Sequence, residues 1–126
     1  MRSIMYKEGR DITDFIQDIL NSIKEIEEFT KGMTYEDFRG DNKTCNAVIR
    51  SLEVLGEATK RIPLTLRNEY KEIPWKKMAG LRDVLIHEYM GVDIKTVWNV
   101  VIKRIPEIKP LIEKVKKETK SKAKNT

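Results

Sequence analysis

The sequence predicts an all-α protein, an up-and-down bundle of four to five main helices joined by short loops. Apolar residues recur at intervals of three and four along every long segment, and no segment shows the alternation that is typical of a β-strand. Glycine, proline and capping residues separate these segments. A chain of 126 residues fits one domain with a core that needs no disulfide.

The first helix is predicted to begin at Asp11, with Asp11 or Thr13 as its cap. Its apolar stripe, which we expect to be buried, consists of Ile12, Phe15, Ile16, Ile19, Leu20, Ile23, Ile26 and Phe29. Gly32 stands where a C-terminal glycine belongs. A short turn of helix is expected over 34–38, and the segment 40–42 breaks it.

A second long helix is predicted from about Lys43 to Arg61. Its inner face holds small and aliphatic side chains: Ala47, Val48, Leu52, Leu55, Ala58 and Ile62. Pro63 ends this helix and can start a short third one that runs through Tyr70.

The Ile73-Pro74-Trp75 segment introduces a fourth helix from about Lys76 to Met90, which Gly91 closes. Asp93 caps a fifth, from Ile94 to Arg104. Separately, we interpret the two tryptophans as core or interface anchors and not as platforms for stacking bases: Trp75 and Trp98.

The last helical stretch leads from Pro106 into a lysine-rich tail, and Pro110 must lie near its first turn or kink it. Residues 113–126 hold six lysines and two glutamates, which leaves 19 basic and 18 acidic residues, a net charge of +1, before them. A lysine tail can raise nonspecific affinity for RNA, but a solvated end is the simpler interpretation. We therefore expect one helical domain over 1–118 and a tail over 119–126.

Several classes of protein are excluded by composition. One cysteine, Cys45, and one histidine, His87, cannot form an intrachain disulfide or a zinc site of about four such ligands. Cys45 follows Thr44 at a helix start, where the pKa of a thiol can be lowered, but without a nearby His or second Cys we interpret it as incidental. No segment has the ~18 to 20 apolar residues of a membrane span, and residues 1–10 are charged where a signal peptide is apolar. We expect a cytoplasmic protein with no metal and no cofactor.

Four polar side chains that can carry chemistry are grouped around the single histidine. On a helix, Arg82 and His87 lie about 140° apart and about 7.5 Å along the axis, within reach of a long arginine side chain. Asp83 stands four residues before His87 and can fix the imidazole tautomer. Tyr89 lies two turns beyond Arg82 on nearly the same meridian. The opposite face is expected to be buried: Leu81, Val84 and Leu85.

This set suits cleavage of RNA without a metal. His87 would move a proton to or from the ribose 2′-OH or the leaving oxygen, and Arg82 would stabilise the charged phosphate. Because one histidine cannot easily be both base and acid, a symmetric dimer that faces two such helices would complete the site. A lone histidine near a helix end is also common as a surface residue, so the spacing alone leaves both interpretations open.

Three charged residues on the second long helix have two interpretations. Arg50, Glu53 and Glu57 form a solvated face or an ion-pair row, or they line the cleft beside Arg82.

Arg82-x4-His87-x-Tyr89 resembles the signature of the HEPN superfamily, specifically the HepT-like toxins of bacterial and archaeal toxin–antitoxin pairs. The likeness covers about residues 10–117. It includes further stretches in order and spacing: Phe29-Thr30-Lys31-Gly32-Met33, Ala47-Val48-Ile49-Arg50-Ser51-Leu52-Glu53, Gly56-Glu57-Ala58, Ile73-Pro74-Trp75 and Ala79-Gly80-Leu81-Arg82. Ser51 departs mildly from the asparagine that relatives often have, and the extended lysine tail also departs.

The resemblance implies a small RNase toxin of a type VII-like toxin–antitoxin pair, a homodimer with its site at the dimer cleft. Arg82 and His87 match the catalytic pair of the family, and Asp83 matches the polar residue that commonly follows the arginine. Tyr89 matches the tyrosine that the partner antitoxin, a minimal nucleotidyltransferase of the MntA type, modifies with AMP. The added phosphate would pair with Arg82, and its bulk would exclude RNA.

A second hypothesis belongs to another class of function. The chain would be a non-enzymatic helical partner of a nucleotidyltransferase, which binds that enzyme and positions a nucleotide or substrate for it. The net charge of +1 over residues 1–112 motivates this hypothesis, because it offers little general attraction to RNA.

Overall fold

The computed structural model describes residues 10–87 and 93–124, with side chains over 10–81 and 93–120. All regular structure in these residues is helical, which confirms the all-α prediction. The elements are α1 (Ile12–Thr30), α2 (Tyr35–Arg39), α3 (Asn42–Lys60), α4 (Leu64–Glu69), α5 (Trp75–His87), α6 (Ile94–Asn99), a π-helical turn (Val100–Arg104) and α7 (Ile105–Lys124).

Helices α1 and α3 form the centre of the bundle. α1 packs against α3 and α7, α3 packs against α5, and the short α2 packs against α3 and α6. The fully buried apolar side chains come from these helices: Ile16, Ile19, Ile23, Ile26, Phe38, Val48, Leu52, Leu55, Ile105, Ile112 and Val115. Among the described residues, no helix is long and apolar enough to cross a lipid bilayer.

The ends of α1 follow the predicted signals. The Asp11 carboxylate accepts from the Asp14 backbone N–H at 3.2 Å, and the Asp14 carboxylate accepts from the Asp11 backbone N–H at 2.9 Å. This reciprocal pair is a capping box, so Asp11 is the cap, with Thr13 donating to it. Gly32 follows the helix with a φ of 75°, as a C-terminal glycine should.

One member of the expected stripe on α1 is exposed, while Ile12, Phe15 and Leu20 are half-buried against the core. The Phe29 side chain is 40 % exposed, although Ile16, Ile19, Ile23 and Ile26 are buried. Each three-residue step turns a helix by about 300°, so position 29 lies roughly 100° from the middle of the stripe. The prediction for Phe29 was therefore wrong.

The inner face of α3 is as predicted. Val48, Leu52, Leu55, Ala58 and Ile62 are buried, and Ala47 is half-buried. Ser51 is also buried, and its hydroxyl donates to a Glu25 carboxylate oxygen at 3.0 Å, which joins α3 to α1.

Both tryptophans are core anchors, as expected. Trp75 starts α5 and donates its indole N–H to the Tyr70 carbonyl at 3.0 Å. Trp98 packs on Phe38, with ring centroids 5.0 Å apart, and on Tyr35 at 6.4 Å. These contacts fix the start of α5 and dock α6 onto α2.

The predicted helix from Ile94 to Arg104 is divided in the structure. Asp93 caps it as expected, but the α-helical part ends at Asn99 and the π-helical turn follows. A proline ring clashes with the carbonyl of residue i−4 in a regular α-helix, and the widened turn directly precedes Pro106. Pro110 lies inside α7, which continues to Lys124.

The predicted end of the fourth helix, at Met90 and Gly91, lies outside the described residues. Its start is at Trp75, one residue before the predicted start.

Candidate functional site

The residues predicted to carry chemistry belong to one helix. Arg82, Asp83 and His87 all lie in α5, which continues without interruption to His87. The step of five residues from Arg82 to His87 therefore corresponds to about 7.5 Å along one helix axis, as predicted. Tyr89 lies outside the described residues, and the structure does not describe the side chains of Arg82, Asp83, Val84, Leu85 and His87.

The N-terminal half of α5 is fixed to the core by residues three apart. Trp75 is 5 % and Met78 is 3 % exposed, and Leu81 is half-buried against the core. Because α5 also packs along α3, this stripe sets its position and rotation in the bundle. The core therefore fixes the position of the helix that carries the candidate site.

The charged face of α3 is partly accounted for. Arg50 and Glu57 are exposed and Glu53 is half-buried. Glu57 pairs with Arg61 at 3.6 Å in an i, i+4 arrangement, which fits the ion-pair row. The alternative, that these residues line a cleft beside Arg82, stays a prediction.

Cys45 is buried in the core, and its thiol is hydrogen-bonded. Its thiol is 3 % exposed and donates to the Phe38 carbonyl at 3.1 Å. Burial raises the pKa of Cys45, with a smaller contribution from the Asp41 carboxylate. The helix start thus does not lower the thiol pKa, which agrees with the interpretation of Cys45 as incidental. Within 10–87 and 93–124, no group of three or more His, Cys, Asp or Glu residues could hold a metal ion.

A groove of about 470 Å³ lies between α1 and α7 and has mixed charge. Lys109 bridges it, with its ammonium 3.0 Å from the Glu27 carboxylate, and hydrogen bonding to that carboxylate raises the pKa of Lys109. The charged side chains that line it are three of each sign: Lys24, Lys109 and Lys116 with Glu27, Glu28 and Glu113. This balance does not favour a polyanion.

A second groove, of about 450 Å³, lies where the loop after α4 meets α5, and its charge is one-sided. Its cationic side chains are Arg67, Lys71, Lys76 and Lys77. Reasoning from sequence did not single out these residues. The only signal was a local run of lysines around the Ile73-Pro74-Trp75 segment.

Comparison with known proteins places most of the chain in one family. A family model described as ribonuclease HepT-like matches residues 19–115. Two Methanocaldococcus jannaschii proteins provisionally named as RNases are 50 % identical over 90 % of this chain and 97 % of their own length, and 48 % identical over 93 % and 97 %. A Thermococcus cleftensis protein provisionally named as the ribonuclease HepT is 47 % identical over 86 % of this chain and 98 % of its own. No solved structure matches significantly.

These matches extend over most of the bundle and over the part of α5 that carries Arg82 and His87. They confirm the resemblance that the motif indicated, and with it the expectation of a ribonuclease and not of a non-enzymatic module. The chain belongs to the HepT-like ribonuclease family.

Proposed function

We propose that the chain is the toxin of a type VII-like toxin–antitoxin pair and acts as a metal-independent endoribonuclease. One observation carries the proposal: Arg82 and His87 stand five residues apart on one continuous helix, inside the region that matches the ribonuclease family. The packing of Trp75 and Met78 in the core supports it, because catalytic groups need a helix of defined position.

In the proposed reaction, the His87 imidazole removes the proton of a ribose 2′-OH. The 2′ oxygen attacks the adjacent phosphorus, and the bond from phosphorus to the 5′ oxygen breaks. The products are a 2′,3′-cyclic phosphate and a 5′-OH end. Arg82 neutralises the negative charge that develops on the phosphate, and Asp83 orients the imidazole.

The leaving 5′ oxygen also needs a proton. We propose that a second His87, from the other protomer of a homodimer, supplies it. The two copies of α5 would face each other across the dimer cleft, with two arginines and two histidines in one site.

Regulation is proposed to act on Tyr89. A minimal nucleotidyltransferase antitoxin would transfer AMP from a nucleoside triphosphate to the Tyr89 hydroxyl, with pyrophosphate as the leaving group. The new phosphodiester would pair with Arg82, and the nucleoside would occupy the space that RNA needs. The nucleotidyltransferase would thus inactivate the toxin by covalent modification.

Growth and RNA integrity in cells test this function. Induction of the wild type should arrest growth and fragment RNA, and His87→Ala and Arg82→Ala should do neither. Arg39→Ala is the matched control, because Arg39 is an exposed arginine on α2. Full growth arrest by His87→Ala would contradict the proposal.

Co-expression with the nucleotidyltransferase tests the regulation. The wild type should gain the mass of one or more AMP groups and lose toxicity. Tyr89→Phe should stay toxic and gain no mass. A Tyr89→Phe protein that is still modified would exclude Tyr89 as the acceptor.

A further inference from the structure

The start of α5 carries a concentrated positive charge. The groove beside it, which we call the basic groove, is lined by Arg67, Lys71, Lys76 and Lys77, and none of the carboxylates that the structure describes lines it. Residues 1–112 include 19 basic and 18 acidic residues, so this excess is local and does not reflect the composition.

The lysines of the basic groove are available to a ligand. Lys71, Lys76 and Lys77 are exposed, and none forms an ion pair with any part of the chain that the structure describes. Arg67 differs, because its Nε donates to the Ile62 carbonyl at 3.0 Å and its Nη2 to the Thr59 carbonyl at 2.9 Å. These carbonyls fix the guanidinium without neutralising it, so Arg67 is a positive charge in a defined place.

The floor of the groove is apolar and shallow. Ile73 and Trp75 are buried and Pro74 is half-buried. Sites for small molecules usually enclose most of the ligand. An open groove with an apolar floor and cationic edges suits a flexible polyanion that lies across it.

Two of the lysines occupy unfavourable positions in the free protein. Lys76 and Lys77 lie in the first turn of α5, where the backbone carries a positive partial charge. Two cations there destabilise the helix end unless an anion is bound. This unfavourable placement of two lysines is a second reason, besides the one-sided charge, to expect an anionic ligand in the groove.

The basic groove is aligned with the candidate catalytic residues. Lys76 and His87 are eleven residues apart on α5, which is about three turns, ~16.5 Å along the axis and within ~20° of one meridian. Gly80 lies between them, and a Cβ atom built there would have no neighbour within 4 Å in the part of the chain that the structure describes. The surface of α5 is therefore open at Gly80, on the line between the groove and position 87.

We propose that the basic groove binds the phosphate backbone of single-stranded RNA on one side of the bond that is cleaved, ~16.5 Å along α5 from position 87, an inference that rests on the proposed function. Lys71, Lys76 and Lys77 neutralise consecutive phosphates, and Arg67 provides the fixed charge. The recognition is electrostatic and does not depend on base sequence. An acidic protein surface is negatively charged, as RNA is. The RNA substrate is favoured because Lys76 and Lys77 lie on the same helix as Arg82 and His87.

The double variant Lys76→Gln/Lys77→Gln tests this inference. Its matched control is Lys43→Gln/Lys103→Gln, which removes the same charge from two exposed lysines outside the groove. Lys43 lies in the first turn of α3, so the control also tests a lysine at a helix start. The probe is a fluorescent single-stranded RNA of about 20 nucleotides, and its affinity is measured in the His87→Ala background at several salt concentrations.

We expect the groove variant to bind this RNA about tenfold more weakly near 0.1 M salt, with a salt slope lower by about 1.4, the value for two lost phosphate contacts. With His87 present, the same substitutions should raise KM and leave kcat at saturating RNA unchanged. The control should stay within about twofold of the parent, and circular dichroism should show equal helix content in all variants.

Three results would overturn the inference, and they are distinguishable. If the wild type binds and cleaves RNA but the groove variant behaves like the control in both binding and KM, the groove is not an RNA site and the proposed function stands. Loss of affinity for the nucleotidyltransferase alone would show that the groove serves a protein. If the wild type neither binds nor cleaves RNA, the proposed function and the groove proposal both fail.

Discussion

The Tyr70 hydroxyl donates to a Glu118 carboxylate oxygen at 2.5 Å, which ties the end of α4 to α7 across 48 residues of sequence. Tyr70 is only 6 % exposed. Its carbonyl accepts the indole N–H of Trp75, the first residue of α5. Tyr70 therefore holds the start of α5 from the loop while its own side chain is held by α7. This link positions the start of α5, the helix that contains Arg82 and His87.

Removing the Tyr70 hydroxyl should destabilise the fold. We expect Tyr70→Phe to lower the free energy of unfolding by about 1–2 kcal/mol, because a hydrogen bond to a charged acceptor is lost from a buried group. Urea denaturation followed by circular dichroism measures the change. Tyr35→Phe is the control, since the Tyr35 hydroxyl makes no hydrogen bond within the described residues. Equal losses in the two variants would contradict the role of Glu118.

The Tyr70–Glu118 hydrogen bond also predicts that the stability of the fold depends on pH in the alkaline range. Burial and the hydrogen bond to Glu118 raise the pKa of Tyr70 to about 12, above the value of about 10 for an unfolded tyrosine. A raised pKa means that the contribution to stability is complete below about pH 10 and is lost as the pH rises towards 12. The stability gap between wild type and Tyr70→Phe should therefore narrow over this range. A constant gap would show that Tyr70 does not ionise at the higher pKa.

The cap of α1 predicts an acid dependence. The Thr13 hydroxyl donates to the Asp11 carboxylate and lowers the pKa of Asp11, and the backbone N–H groups that it caps add to this effect. A lowered pKa gives stability that is present at neutral pH and is lost as the pH falls below about 4. Asp11→Ala should cost about 1 kcal/mol at pH 7 and less at pH 3.

Asp11→Asn is the matched variant for this prediction, because asparagine also caps helices but does not titrate. It should keep most of the stability at pH 7. Urea unfolding at both pH values measures all three proteins. A cost of Asp11→Ala that is equal at pH 3 and pH 7 would contradict the ionised cap.

Cys45 should react slowly in the folded protein. Its thiol is buried, and burial raises its pKa, so both access and thiolate content are low near neutral pH. Labelling with a chromogenic disulfide reagent at pH 8 should be at least about tenfold slower than in urea. Fast labelling of the native protein would show that the Phe38–Cys45 contact opens readily.

Much of the fold follows from local sequence signals. The Asp11 and Asp93 caps and the turn at Gly32 were predicted from residue type and position, because each acts within a few residues of itself. The contacts that join distant helices were not. The pairs Tyr70–Glu118 and Ser51–Glu25 depend on how helices are rotated against one another, which periodicity does not specify.

The candidate site divides in the same way. The spacing of Arg82 and His87 is a property of one helix, so the residue numbers alone predict it. The basic groove combines Arg67 of α4 with lysines of the loop and of α5. In the sequence, each of these lysines looks like an ordinary solvent-exposed residue. Only the fold brings their charges together along one groove.

Cleavage of a defined RNA by purified protein is the decisive test of the proposed site, with wild type and His87→Ala compared in EDTA. We predict cleavage by the wild type that leaves a 2′,3′-cyclic phosphate and a 5′-OH end. We also predict that His87→Ala, with unchanged helix content, is slower by about 10²-fold or more, because proton transfer by a positioned side chain accounts for at least that much. Equal rates in the two proteins, or 5′-phosphate products, would contradict a site built on Arg82 and His87.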